Sequence, residues 1–137
     1  MEAVSQVLLD SSVLIPALRE GGGQVEKKRV TSLLCSGRAA LTEAILLELW
    51  RGARPGVEQK HVATLAADIP VLPTTVGVWN KCYELARRCR AKGYQIPFGD
   101  LLVGACAWEH GVVVEQNDAH FEQIQSLLGK EANILMP

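Results

Sequence analysis

Four acidic residues at or beside apolar stretches of the sequence could do chemistry together. They are Asp10, Glu48, Asp100 and Asp118. Unit charges a few ångströms apart repel by several kcal/mol at an intermediate dielectric, so four carboxylates share a site only when a cation offsets their charge. A ligand set of oxygens, without His or Cys, selects magnesium or manganese. One or two such ions activate a water and stabilise the charge that develops when a phosphodiester is cleaved.

The first and the last of these acids follow predicted strands. The β-prone run Val7–Leu9 ends at Asp10, and the continuous apolar run of residues 112–114 leads through Glu115 to Asp118. In open α/β sheets, ligands bind at the carboxyl edge of the strands. We therefore expect Asp10 and Asp118 to lie at the same edge, although Asp10 also suits an ordinary helix N-cap.

The other two acids lie on predicted helices. Glu48 is in the middle of a helix predicted over residues 43–54, and Asp100 opens a mostly apolar helix that follows the chain breaker Pro97. The positive end of a helix also stabilises an acid in the first turn, which is the structural alternative for Asp100. The same explanation covers Glu43, so we favour Glu48 as the site residue on its helix.

Strand and helix patterns alternate along the chain, which predicts an α/β/α sandwich on a mostly parallel sheet. The remaining predicted strands are 39–41, an edge strand at 69–73 and 134–136, and the remaining helices are 13–19, 24–36, 57–67, 75–93 and 121–128. Within 24–36, the apolar residues Val25, Val30, Leu33 and Leu34 are expected to face inward. We interpret Trp79 and Tyr83, at helical spacing, as core or interface residues rather than a base-stacking platform.

Length and composition predict a single domain over residues 1–137 with its own core, since 48% of the 137 residues are hydrophobic and 21% are charged. The chain has no apolar stretch of about 18 residues and no basic start typical of a signal peptide, which predicts a cytoplasmic protein. Its four cysteines lack Cys-x-x-Cys spacing and are expected to be reduced and buried.

The net charge of −1 argues against a generic nucleic-acid binder. Without the four candidate acids, however, the remainder of the chain has a net charge of −1 + 4 = +3. Arg87, Arg88 and Arg90 lie close together in this remainder, although a run of charges also suits a solvated helix face.

The chain resembles the PIN domain family, and within it the VapC-type toxins of bacterial and archaeal toxin–antitoxin pairs. The resemblance covers almost the whole length and rests on four segments in a fixed order, VLLDSSVLI, EAILLELWRG, IPFGDLLVGACA and VVVEQNDAHF. It implies a magnesium- or manganese-dependent endoribonuclease whose metal is held by Asp10, Glu48, Asp100 and Asp118. Ser11 stands where such proteins often have a Ser or Thr that orients the first Asp or a metal-bound water.

The resemblance departs from the family pattern at Gln116, where many relatives have Thr, and Glu115 and Asn117 are candidates to supplement Asp118 there. It further implies a homodimer formed through helices, and inhibition by a small VapB-like antitoxin whose C-terminal segment occludes the acidic cleft. Basic residues on the rim of the cleft would hold the RNA. The candidates are Arg51, Arg87, Arg88 and Arg90.

Two other functions are weighed against the nuclease. One is a non-catalytic module of the same fold that binds a protein or RNA without cutting it, and Gln116 is the feature that favours it. The other is a phosphate-transferring or phosphate-hydrolysing enzyme with Asp10 as nucleophile. That chemistry needs an activating Lys and usually a second Asp two residues on, where this chain has Ser12.

Overall fold

A four-stranded parallel sheet lies at the centre of the computed structural model, which describes residues 5–137. The strands are β1 (Val7–Leu9), β2 (Ala39–Thr42), β3 (Val71–Leu72) and β4 (Val113–Glu115). Their order across the sheet is β3-β2-β1-β4, and each neighbouring pair is parallel. This arrangement confirms the predicted α/β fold with a mostly parallel sheet.

Seven helices flank the sheet within the described residues. They are α1 (Ser11–Leu18), α2 (Gln24–Cys35), α3 (Glu43–Gly52), α4 (Val57–Asp68), α5 (Val76–Lys92), α6 (Phe98–His110) and α7 (His120–Leu128). From residue 5 onward, no helix combines the length and apolar character that a membrane crossing requires.

The fully buried strand β1 separates the two halves of the sheet. The chain proceeds from β1 to β2 and β3 on one side, whereas β4 pairs with the other side of β1. The topological switch point, where open α/β sheets bind ligands, therefore lies between β1 and β4. The backbone N–H of Asp10 donates to the carbonyl of Glu115 (3.0 Å), so the residues that follow these two strands meet at one edge.

Side-chain caps begin the two helices that matter most for this edge. The Asp10 carboxylate accepts a hydrogen bond from the Ser12 N–H (3.1 Å) at the start of α1. The predicted cap Thr42 accepts one from the Ile45 N–H (3.1 Å) at the start of α3. Each cap satisfies a backbone donor that the helix itself leaves without a partner, which fixes where the helix begins.

Two of the four inward-facing residues predicted for α2 are exposed. Val30 and Leu33 are buried as expected, but Val25 is 67% exposed and Leu34 is 40% exposed. The buried stripe of α2 is narrow. Val25 precedes Val30 by five residues, which is about 140° around an α-helix, and so lies on the solvent side.

The predicted strand at residues 134–136 is reduced to one isolated bridge between Leu135 and Val114. Ile134 is fully buried, and its carbonyl accepts from the Val114 N–H (2.7 Å). The Leu135 N–H, however, donates to the side chain of Asn133 (3.3 Å) instead of continuing a ladder. A local side-chain acceptor has thus replaced sheet pairing.

The cysteines are free, and three of them are buried as predicted. Cys35 is exposed, so the expectation of a buried thiol is wrong at this position. It is the last residue of α2, on the side of the helix that does not pack against the core.

Candidate active site

The four predicted acids converge at the switch point of the sheet. Glu48, Asp100 and Asp118 line one groove of about 780 Å³. Asp10 lies beside them, since its charge acts on Asp100 and the charge of Glu48 acts on Asp10. The site therefore draws its carboxylates from the ends of β1 and β4, from the middle of α3 and from the first turn of α6.

Asp10 is the most deeply buried of the acids, at 1% exposure. Its Oδ2 accepts from the Ser12 hydroxyl (2.6 Å), whereas its buried Oδ1 has no hydrogen-bond partner within residues 5–137. Burial raises the pKa of the Asp10 carboxyl, the Ser12 hydrogen bonds oppose this shift, and the charge of Glu48 adds to it. A buried oxygen without a partner is costly, so Oδ1 is suited to binding a cation.

Glu48 is held by a residue of the first helix. The Ser11 hydroxyl donates a 2.6 Å hydrogen bond to Glu48 Oε2. The resemblance predicted that Ser11 orients Asp10 or a metal-bound water, but the hydroxyl on Asp10 belongs to Ser12, and Ser11 orients Glu48 instead. Gly99 leaves room on the other side, because a Cβ at that position would overlap Glu48 Oε1.

His120 joins the acids, although the sequence analysis did not identify it. Its Nδ1 lies 2.8 Å from Asp100 Oδ2 and 2.8 Å from Asp118 Oδ1. One potential ligand atom from each of the three residues lies within 4.8 Å of the other two. The sequence pattern that could have identified His120 is the Asp-x-His spacing directly before the buried Phe121. At this point a short turn leads into α7 and keeps the imidazole beside Asp118.

These three groups shift one another's protonation. Burial raises the pKa of Asp100 to about 6; the hydrogen bond with His120 opposes this shift, and the charge of Asp118 adds to it. Burial acts on Asp118 in the same sense, but hydrogen bonds from His120 outweigh it and lower the pKa of Asp118. Desolvation opposes the charged form of His120, yet Asp100 and Asp118 raise its pKa overall. The imidazole thus offsets part of the negative charge.

The segment between β4 and Asp118 is fixed by Arg29 of α2. The Arg29 guanidinium pairs with Glu115 and donates to Asn117 Oδ1 (2.7 Å) and to the Gln116 carbonyl (3.2 Å). Glu115 and Asn117, predicted to supplement Asp118, do not line the groove and instead hold this segment. Gln116 accepts from the Asp118 N–H (2.6 Å) and so helps to position Asp118.

Of the basic residues predicted to hold RNA, only Arg51 lines the groove. The prediction for Arg87, Arg88 and Arg90 is corrected, because the structure does not bring them to this groove. Arg87 and Arg88 form ion pairs with Glu84 (2.6 and 3.1 Å), and Arg90 is exposed on the same helix. The charge run of α5 is therefore a solvated, ion-paired face, the alternative given above.

The donor set suits a hard divalent cation. Ligand atoms of Asp100, Asp118 and His120 lie within 4.8 Å of one another, and the carboxylates of Asp10 and Glu48 lie nearby. One imidazolium cannot balance four carboxylates, and Asp10 Oδ1 still lacks a partner within the described part of the chain. Oxygen-rich sites of this kind bind magnesium or manganese, and an imidazole ligand suits first-row transition metals.

Fold and site together define an α/β/α protein with an acid-lined groove at the switch point of a parallel sheet. The family model of the PIN domain matches residues 7–127. The chain therefore belongs to the PIN domain family, as the four sequence segments predicted.

Similar proteins cover nearly the whole chain. Ribonuclease VapC51 of Mycobacterium tuberculosis (strain ATCC 25618 / H37Rv) is 28% identical over 133 residues, which are 95% of this chain and 93% of that protein. The structure of VapBC2 from Rickettsia felis, bound to a DNA fragment from its promoter, matches with a TM-score of 0.76 and 17% identity, over 95% of this chain and 96% of that one. VapC20 of Mycobacterium tuberculosis, a toxin that cleaves the sarcin-ricin loop, matches with a TM-score of 0.63 and 17% identity, over 86% and 94% of the two chains.

Proposed function

We propose that this protein is a magnesium- or manganese-dependent endoribonuclease, the toxin of a VapBC-type toxin–antitoxin pair. The observation that carries the proposal is that Glu48, Asp100 and Asp118 line one groove of a PIN domain, with Asp10 buried beside them. The similarity to a ribonuclease VapC over almost the full length of both chains supports the assignment of RNA as substrate.

In the proposed mechanism, Asp10, Glu48, Asp100 and Asp118 hold the metal. The bound ion supplies an activated water at neutral pH and offsets the charge that develops on the scissile phosphate. The chain keeps three of these carboxylates in place through the following contacts, and His120 holds the fourth, Asp100. Ser11 orients Glu48, Ser12 orients Asp10, and Gln116 fixes the backbone of Asp118.

Arg51 supplies positive charge on the wall of the groove. It lies three residues after Glu48 on α3 and is exposed. A guanidinium in this position can neutralise a phosphate next to the one being cleaved, which makes binding salt-dependent.

We further propose that the protein acts in the cytoplasm as a homodimer and is inhibited by a small VapB-like partner. Structural neighbours that are VapBC complexes support the partner. Exposed apolar side chains on α3 and on α5 support a dimer formed through helices, since exposed apolar surface is available for an interface. These side chains are Leu47, Trp50, Val76 and Tyr83.

The decisive experiment follows cleavage of a pool of single-stranded RNA with magnesium, with manganese and with a chelator. We expect cleavage only with metal, and its loss in Asp10→Asn and in Asp100→Asn. Asp68→Asn, an exposed acid at the end of α4, is the matched control and keeps full activity. Cleavage in chelator, or full activity in both site variants, would refute the nuclease assignment.

The same material tests the non-catalytic alternative. Calorimetric titration measures magnesium and manganese binding directly, without reference to RNA. A protein that binds RNA but neither metal, and that cuts nothing in the pool, is a binding module of the PIN fold. We expect metal binding in the control variant and weakened binding in both site variants.

A further inference from the structure

An exposed aromatic ring stands at the mouth of the acidic groove. Phe98 is 69% exposed and lines the same groove as Glu48, Asp100 and Asp118. A phenyl ring that remains this exposed in the folded chain contributes little to the core. Because the ring lines the groove, it can contact a molecule that binds there.

The ring is supported from behind. Trp79 of α5 is partly buried against the core, and the centroids of its ring and the Phe98 ring lie 6.4 Å apart at an interplanar angle of 41°. This separation falls within the range of direct aromatic contacts. Trp79 also contacts Tyr83 (6.3 Å between centroids), which is 54% exposed, so the row of three rings is anchored in the fold through Trp79.

The backbone keeps the ring close to the acids. Phe98 is the first residue of α6, directly after the N-cap Pro97, and Asp100 lies two residues further on. Two residues span at most about 7 Å of chain, so the ring cannot move far from the Asp100 carboxylate. Gly99, between them, carries no side chain that could block the passage.

We infer that Phe98 is a specificity-determining residue on which an unpaired base of the RNA stacks, next to the phosphate held at the acids. This inference rests on the proposed function and deepens it by naming a residue of the groove that binds a base. The bases of a duplex are stacked on one another, so only an unpaired base presents a free face to the ring. Arg51 in the same groove supplies charge for the adjoining phosphate.

The first test measures stacking without cleavage. Inactive Asp100→Asn protein is mixed with single-stranded RNA that carries the fluorescent base 2-aminopurine at successive positions. We expect quenching at one position, its loss when Phe98→Ala is added, and its recovery with Phe98→Trp. Val57→Ala is the control and leaves the quenching unchanged, since Val57 is an apolar residue of α4 with a similar exposure (67%) and lies outside the groove.

The second test measures cleavage of the same RNA with the base at that position removed. Base–aromatic stacking predicts that Phe98→Ala lowers kcat/KM by about 5- to 150-fold, mainly through KM. The abasic RNA lowers wild-type kcat/KM by a similar factor, but causes no further loss in Phe98→Ala. Manganese affinity stays unchanged in Phe98→Ala, which separates stacking from metal binding.

Each result is decisive for the inference. An unchanged kcat/KM in Phe98→Ala overturns the inference while the nuclease assignment stands. The same holds if Phe98→Ala and removal of the base lower kcat/KM independently, so that the combined loss is the product of the two. The inference is also overturned if Phe98→Ala leaves the quenching unchanged and shifts the protein from dimer to monomer in sedimentation. That result assigns the ring to an interface between copies. If the wild type cuts no RNA, the nuclease assignment fails, and the quenching experiment still decides whether Phe98 stacks on a base.

Discussion

The Ser11 hydroxyl donates a 2.6 Å hydrogen bond to Glu48 Oε2 and so joins the first turn of α1 to the middle of α3. The two residues are 37 positions apart in the chain. The orientation of Glu48 therefore depends on how α1 packs against α3, and not on α3 alone.

We predict that Ser11→Ala lowers manganese affinity by about 10- to 100-fold, because residues that orient metal ligands contribute this much in other sites. Calorimetric titration measures the effect. Ser126→Ala is the matched control, since within residues 5–137 the Ser126 hydroxyl donates only to the Gln123 carbonyl on α7. Equal affinities in Ser11→Ala and the wild type would contradict the proposed role of Ser11.

Asp100 predicts how the stability of the metal-free protein changes with pH. Its pKa rises from 3.8 to about 6 on folding, so between these values the folded state keeps a proton that the unfolded state has lost. The contribution of Asp100 to the free energy of unfolding therefore falls as the pH rises through this window. Above about pH 6, metal-free Asp100→Asn should be more stable than the wild type, because the substituted side chain carries no charge that burial disfavours.

Urea denaturation in chelator, at about pH 4 and about pH 7.5, measures this difference. Asp68→Asn provides the control, since this exposed residue lies outside the groove. If Asp100→Asn is no more stable than the wild type at the higher pH, burial of the charged Asp100 carboxylate does not destabilise the folded state.

Arg29 is predicted to stabilise the segment that carries Asp118. The Glu115 side chain is only 10% exposed, so Arg29→Met leaves a nearly buried carboxylate without its partner. We expect a loss of about 2 kcal/mol, less than for a fully buried pair because Arg29 is 30% exposed. Adding Glu115→Gln should recover most of this loss in urea denaturation.

Arg87→Met is the control for that cycle, because it breaks an exposed pair with Glu84 on α5. Such pairs contribute about 0–1 kcal/mol. If Arg29→Met cost no more than Arg87→Met, the ion pair with Glu115 would not hold the segment.

Gly99→Ala tests whether Glu48 needs the space beside α6. The added Cβ would overlap Glu48 Oε1. Because a carboxylate can swing aside, we expect the melting temperature to change little while metal affinity falls. Gly52→Ala is a matched helical control, since a Cβ there meets nothing within 4 Å. Wild-type metal affinity in Gly99→Ala would show that Glu48 is not held in this position.

The fold and part of the site follow from local sequence patterns. Asp10 and Asp118 were predicted at one edge because each follows an apolar strand, and parallel strands share the direction of their carboxyl ends. Asp100 was predicted from a chain breaker followed by an acid at the start of an apolar helix. For these residues, the local sequence pattern and the topology of parallel sheets predict the same location.

Other features depend on how the helices pack, which periodicity does not reveal. The contact between Ser11 and Glu48 links residues that no spacing rule relates, and the same is true of His120 and Asp100. The run of basic residues on α5 also led to a wrong prediction, that of RNA binding at the groove. Arg88 is paired with Glu84, four residues earlier on its own helix, and with Glu131 of a distant segment. Helical spacing indicates the first partner but not the second.

The acids are distributed along the chain in a way that bears on its synthesis. Asp10 precedes Asp118 by 118 − 10 = 108 residues, and β4, which carries Asp118 to the edge of the sheet, pairs directly with β1. A nascent polypeptide that has not reached Asp118 therefore lacks one of the four carboxylates of the proposed metal site. Under the proposed function, nuclease activity would therefore begin only after β4 has been made and has paired with β1, and fragments that end before Asp118 would be inert.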